Sequence, residues 1–273
     1  MSRALRDAPL GVFDSGLGGL TVVRAIREAL PHEDIVYLGD TARVPYGTKG
    51  PATVVKYALG CARHLVGRGV KAIVIACNTV SAVAPERLRI ELDIPVLGVI
   101  EPGARAAVET TRTGKIGVLA TAATVASGAY PRAVSAVSTR AETIGQAAPL
   151  LVPLAEEGWV EGDVPHLAAR RYLEPLAKAG VDVVVLGCTH YPLLRHVIED
   201  EARALMGDQV RVVDSAHAAA SDVRSFLESR GLARGPGAPG RIECLVTDLP
   251  KSFADVAARF LGGAAGSVEQ VDL

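Results

Sequence analysis

Val70-Lys-Ala-Ile-Val-Ile-Ala-Cys77 and Val181-Asp-Val-Val-Val-Leu-Gly-Cys188 are two versions of one phrase. Each carries one charged residue at its second position, continues through small and branched apolar residues, and ends on cysteine. A strand that is apolar at successive rather than alternate positions is buried on both faces, as a parallel strand between two layers of helix must be. The two cysteines are 111 positions apart, and a second pair of segments repeats in the same order. Leu10-Gly-Val-Phe-Asp-Ser15 matches Ile116-Gly-Val-Leu-Ala-Thr121 at a separation of 106. Similar offsets in one order predict two related halves.

Working outward, further short apolar runs read as strands at Leu10–Phe13, Asp34–Leu38, Pro95–Val99, Lys115–Leu119, Val210–Val213 and Arg241–Val246, beside Lys71–Ala76 and Val181–Gly187. Helical periods lie between them. Leu20, Val23, Ile26 and Leu30 recur at three- and four-residue spacing, as do Val54, Ala58, Cys61 and Leu65. Strand and helix alternate, so the fold class is α/β: two similar doubly wound, mainly parallel-sheet domains facing each other across a cleft. The first domain is expected over 1–98 plus 208–273, carrying Cys77. The second is expected over 99–207, carrying Cys188, with the boundary near the Glu-Pro-Gly that follows Gly98. Gly231–Gly240, rich in glycine and proline, reads as an exposed loop, and the residues after Gly263 are expected to be poorly ordered.

Composition narrows the function. A chain of 273 residues with 49% hydrophobic content supports a sizeable core. Its formal net charge is -1 with both signs interspersed, which argues against a nucleic-acid partner. The positive mean hydropathy of +0.28 comes from alanine and valine spread over many short runs, none near the roughly 18 apolar residues of a membrane span. The first residues contain no apolar core of a secretory signal, and the four cysteines form no CxxC pair. Both features predict a cytoplasmic protein without disulfides.

In open parallel sheets, ligands bind beyond the carboxyl ends of the strands. There this sequence places Asp14-Ser15-Gly16, Asp40-Thr41 with Pro45-Tyr46-Gly47-Thr48, Cys77-Asn78-Thr79, Thr121-Ala-Ala-Thr124 and Cys188-Thr189-His190. Two facing half-sites would enclose a small polar ligand with one thiol on each side. Inverting a carbon centre needs a base on one face and an acid on the other, and a thiol can serve as either. Both cysteines fall between strand and helix, where the helix N-terminus is expected to favour the thiolate. Ser15, Asn78, Thr79, Thr121 and Thr189 are expected to receive a carboxylate, and Asp14 and His190 to tune the thiols or carry their protons.

Other readings of these motifs are weaker. Gly16-Leu-Gly-Gly19 lacks a Walker lysine and the dinucleotide spacing. Cys188 and His190 with one distant cysteine make a poor zinc pattern, so no metal is expected. Nothing around Lys49 or Lys71 suggests a Schiff-base pocket. Cys61 and Cys244 sit on an apolar helical face and in an alternating strand, as inert core residues do.

Asp14-Ser-Gly-Leu-Gly-Gly-Leu-Thr21, Pro45-Tyr46-Gly47, Ala76-Cys77-Asn78-Thr79 and Gly187-Cys188-Thr189-His190-Tyr191-Pro192, in this order and spacing, resemble the signatures of the glutamate racemases. The similarity covers about residues 10–262. It implies a cytoplasmic enzyme that interconverts L- and D-glutamate without a cofactor and supplies D-glutamate for peptidoglycan. It also implies that Cys77 deprotonates D-glutamate and Cys188 L-glutamate. By the same match Asp14, Ser15, Tyr46, Gly47, Asn78, Thr79, Thr189 and His190 contact substrate, with Pro45 beside them. Glu156, next to Glu157, matches a family glutamate near the second thiol. A homodimer is carried by the resemblance alone. An aspartate or hydantoin racemase shares the two-cysteine scaffold, and a two-domain protein that only binds a small acid would need no paired thiols. Thiol redox work would instead require a Cys77–Cys188 disulfide as a functional state.

Overall fold

A computed structural model describes residues 3–248 and 253–273. In chain order its strands are β1 (Leu10–Asp14), β2 (Ile35–Gly39), β3 (Ala72–Ile75), β4 (Val96–Gly98), β5 (Lys115–Ala120), β6 (Glu142–Ala147), β7 (Val183–Gly187), β8 (Arg211–Asp214), β9 (Ile242–Val246) and β10 (Ser267–Gln270). One sheet has the order β10-β9-β2-β1-β3-β4 and the other β6-β5-β7-β8. Every pairing among them is parallel. Without β9 and β10, the two sheets share one order, second-first-third-fourth. Repeated segments therefore occupy equivalent places: β1 corresponds to β5, and β3 to β7.

Burial follows the reading of the apolar runs. Every residue of β1, β2, β3 and β7 is buried, because helices cover both faces of each sheet. Leu20, Val23, Ile26 and Leu30 point into the core, and so do Val54, Ala58, Cys61 and Leu65. Cys244 is equally enclosed, and all four cysteines are free thiols. No described helix is long and apolar enough to cross a membrane.

Two expectations need correction, and one strand went unread. Arg211–Asp214 pairs with β7, so the second sheet runs on to Asp214 and a boundary at 207/208 falls too early. The physical reason is local: the helix Arg195–Met206 is a crossover that lays the next strand parallel beside the last one. The chain returns to the first sheet only through the helix Ser215–Ser229, which packs on the helices Leu20–Ala29 and Ile100–Thr110. The residues after Gly263 are ordered, since Ser267–Gln270 extends the first sheet beside β9 and Val271 is buried. Glu142–Ala147, which shows no continuous apolar run, is an edge strand with two exposed and four half-buried residues.

A buried ion pair locks the side of the first sheet where β3 begins. Lys71 Nζ lies 2.5 Å from Glu33 Oε2, with both side chains almost fully enclosed. The same ammonium donates to the carbonyls of Arg6 at 2.8 Å and Leu232 at 2.9 Å. Glu33 Oε1 accepts the Arg234 N–H at 2.6 Å. The Gly231–Gly240 loop is exposed along most of its length yet tied down at these points. Removing one charge leaves the other buried without its partner, which costs about 3–5 kcal/mol. Lys71→Met is expected to lower unfolding free energy by about that amount in urea denaturation. A loss under about 1 kcal/mol, typical of a surface pair, would contradict this role.

Candidate active site

In a sheet of order second-first-third-fourth, the connections after the first and third strands leave in opposite directions and open a crevice at their carboxyl ends. Both sheets have this crevice, and the same chemistry borders each. β1 runs into Ser15 and Gly16. β3 ends at Cys77, the N-cap of the short helix Asn78–Val83. β5 ends at Thr121, whose hydroxyl caps the helix Ala122–Ala126 by accepting the Thr124 N–H at 3.3 Å. β7 ends at Cys188, Thr189 and His190, before a helical turn at Tyr191–Leu194.

These ends converge on one cavity of roughly 360 Å³. From the first sheet its wall takes Ser15, Pro45, Tyr46, Gly47, Cys77, Asn78 and Thr79. Thr121, Glu156, Cys188, Thr189 and His190 come from the second. Asp14 differs from expectation: it is 1% exposed and does not line the cavity. One of its oxygens accepts the N–H groups of Gly16 at 3.2 Å and Gly19 at 2.9 Å, shaping the turn that presents Ser15. Arg43 is also off the wall, 3.3 Å from Asp40 and 4.8 Å over the Tyr57 ring. Of the two adjacent glutamates, Glu156 is the one that reaches His190.

Sequence reasoning missed several wall residues, including Pro149, Val152 and Pro153. They follow β6, so recognising that strand would have pointed to them. It also missed the hydrogen bonds that hold the wall in place, and with them the parts played by Thr21, Tyr130 and Thr247. Asp40 accepts from the Tyr46 hydroxyl and, at 2.9 Å, from Thr247. Thr21 donates to the carbonyl of Thr189 at 3.0 Å. Thr79, Thr121 and Thr124 form a hydroxyl triangle with edges of 3.0–3.3 Å. Tyr130 donates to Asn78 at 2.8 Å. No local pattern marks the partnerships of Thr21, Tyr130 and Thr247, because each joins elements far apart in the chain.

The two thiols have different surroundings. Burial pushes Cys77 up to about 12, and the nearby charge of Asp14 adds to the rise. The Ser15 hydroxyl, 3.5 Å away, and the Val80 N–H pull in the opposite direction but do not prevail. The expected helix-terminus effect is therefore present and outweighed by desolvation. Cys188 Sγ lies 3.8 Å from His190 Nδ1, and His190 Nε2 lies 2.9 Å from Glu156 Oε1. Burial opposes a charge on His190, yet the hydrogen bonds with Cys188 and Glu156 prevail and push it up to about 10. The bond with His190 in turn holds Glu156 below its ordinary value. Asp14 is pushed up by burial, against the pull of the His190 charge and of the N–H groups of Gly19, Gly16 and Ser15. Among the described residues, Glu156 and His190 are the only ionisable side chains on the wall besides the two thiols and Tyr46, and no lysine or arginine lines it. No three His, Cys, Asp or Glu side chains among the described residues are grouped to hold a metal ion.

Comparison with known proteins gives the family. A family model described as Asp/Glu/Hydantoin racemase matches residues 16–223. The chain belongs to that family. A glutamate racemase of Geobacter metallireducens is 51% identical over 97% of this chain and 96% of its own length. That of Neisseria gonorrhoeae is 47% identical over 100% of both. Among solved structures, a Francisella tularensis glutamate racemase in complex with D-glutamate has a TM-score of 0.89 at 37% identity, covering 98% of both chains. A Thermus thermophilus glutamate racemase in complex with beta-chloro-D-alanine has a TM-score of 0.87 at 46% identity, again covering 98% of both. An aspartate racemase of Picrophilus torridus shares the fold at a TM-score of 0.54 and 20% identity.

The electrostatics of this racemase-family site carry a pH signature. His190 is raised above 6.5 by its partners, so its protonated form stabilises the fold fully below pH 6.5. That contribution fades as the pH climbs toward about 10. Glu156 is lowered below 4.5, so its contribution is present above pH 4.5 and lost on further acidification. A proton NMR titration of the His190 ring is expected to show it still charged at about pH 8. Glu156→Gln should move its midpoint down. A midpoint near 6.5 in the unmodified protein would rule out the proposed electrostatics.

Proposed function

We propose that this chain is a glutamate racemase that moves the α-proton between two thiols, Cys77 and Cys188, without an added cofactor. One observation carries the reading: equivalent strand ends of two repeated sheets put one cysteine each on the wall of a single small cavity. The names of the relatives support glutamate as the substrate. Inversion needs proton transfer on opposite faces of one carbon, and two half-sites contributed by two sheets supply two faces.

In the L-to-D direction the Cys188 thiolate takes the α-proton, with protonated His190 beside it as the counter-charge. Cys77, held as a neutral thiol by burial, gives its proton to the other face. The carbanion-like state spreads its charge into the α-carboxylate. Fixed neutral donors around that group, among them Asn78, Thr79, Thr121, Thr189 and Ser15, stabilise charge as it develops. In the D-to-L direction Cys77 acts as the base, and the ammonium group of the bound substrate offsets its negative charge. After each turnover the thiols exchange protons to restore the starting state, with His190 and Glu156 serving Cys188. A closed cavity excludes water and keeps the thiolate a strong base. In this reading the enzyme is cytoplasmic, supplies D-glutamate for peptidoglycan, and works as a homodimer, which sedimentation velocity tests.

Proton NMR in D2O tests the reaction. With L-glutamate and no added cofactor, the α-proton signal is expected to disappear while chiral analysis reveals D-glutamate. Cys77→Ala and Cys188→Ala should each slow this by at least about 10³-fold while leaving the fold intact. Racemisation retained in either variant would sink the two-thiol mechanism. Exchange of aspartate alone would keep the mechanism and move the substrate. No exchange from folded, reduced protein would favour a protein that only binds a small acid.

A further inference from the structure

Asn78 is buried, lines the cavity, and makes one side-chain hydrogen bond: its Oδ1 accepts from the Tyr130 hydroxyl at 2.8 Å. Its Nδ2 has no partner among the described residues. A buried amide N–H2 left without an acceptor is costly, so its direction is a choice that something must enforce. An amide is a two-ended group, and holding the oxygen at one end turns the nitrogen to the other.

We infer that Tyr130 is a positioning residue: by holding Oδ1 it aims the Asn78 N–H2 into the cavity as a neutral donor to a substrate carboxylate. The inference rests on the racemase reading above and adds a residue that touches no substrate. Burial raises the Tyr130 phenol far above its ordinary range, so it stays a donor at any working pH. The ring has little freedom to leave. It is enclosed on the helix Ala129–Val137, and a Cβ added at Gly187 would come within 3.1 Å of it. Because no lysine or arginine among the described residues lines the cavity, a carboxylate there depends on correctly turned neutral donors. An amide turned the wrong way would present its oxygen to the carboxylate and repel it. Tyr130 belongs to the second sheet's layer and Asn78 follows a strand of the first, so the donor's direction depends on how the two halves are docked.

Tyr130→Phe removes the hydroxyl and keeps the ring. Loss of one well-aimed hydrogen bond to a charged group predicts a fall in kcat/KM of about 10- to 100-fold, most of it in KM. The fall should be equal for both enantiomers, whose interconversion has an equilibrium constant of one. In an Asn78→Ala background the same change should add less than about two-fold, because the tyrosine acts through the asparagine. A full loss in both backgrounds would assign Tyr130 a general structural role and overturn the inference, as would unchanged kinetics in Tyr130→Phe. If the unmodified enzyme fails to turn over glutamate, the functional reading fails by itself. The inference is then judged on the Asn78 side-chain amide nitrogen resonance, assigned by its loss in Asn78→Ala. That resonance is expected to shift in Tyr130→Phe, and an unchanged resonance overturns the inference.

Discussion

A handful of hydrogen bonds cross from one sheet's layer to the other, and the cavity exists in its present form because of them. Thr21 reaches the Thr189 carbonyl, Tyr130 reaches Asn78, and the hydroxyls of Thr79, Thr121 and Thr124 share one cluster. Apart from the bond between Thr121 and Thr124, which lies within the second half, each joins a loop that carries one thiol, or a neighbour of that loop, to the opposite half. Between them glycine backbone of the first half packs directly against side chains of the second. A Cβ at Gly47 would lie 2.9 Å from Thr121, and one at Gly18 would run into Thr189 and the His190 ring. Two sheets with matching topology thus face one cavity with their carboxyl ends, where helix N-termini and reactive side chains collect.

The site is symmetric in topology and asymmetric in chemistry. Cys77 has a buried carboxylate, Asp14, and a serine hydroxyl for neighbours, and burial keeps its proton on. Cys188 faces an imidazole that is itself tied to a half-exposed glutamate. A repeated fold supplies two equivalent positions, and different second neighbours give the two thiols different surroundings. The principle is general: two titratable groups in one site take different roles when their environments push them apart.

The C-terminal segment contributes to this asymmetry although none of its described residues lines the wall. The helix Phe253–Leu261 brings the Phe260 ring edge-on to His190, with centroids 5.1 Å apart. Arg259 from the same helix donates to the backbone carbonyl of Glu156. An apolar face and a backbone anchor thus hold the imidazole–carboxylate pair from behind. β9 and β10, which flank that helix in the chain, fix it to the first sheet.

What the sequence determined by itself is whatever is encoded over a few residues. Continuous apolar runs marked the central strands, helical spacing marked the faces of the helices that cover them, and strand-end positions marked Cys77, Cys188 and most of the wall. These features survive because strand burial and strand-to-helix turns are set locally by residue type. The edge strand Glu142–Ala147, half-solvated, showed no such run, and Ser267–Gln270 is a strand only because β9 offers it an edge. The tertiary structure alone decided that Arg211–Asp214 joins the second sheet, that Asp14 lies off the cavity wall, and that Tyr130 holds Asn78. It also decided that burial overrides the helix terminus at Cys77. Strand pairing, desolvation and hydrogen-bond partnership depend on what packs against a residue from far along the chain, and no short window of sequence contains that neighbour.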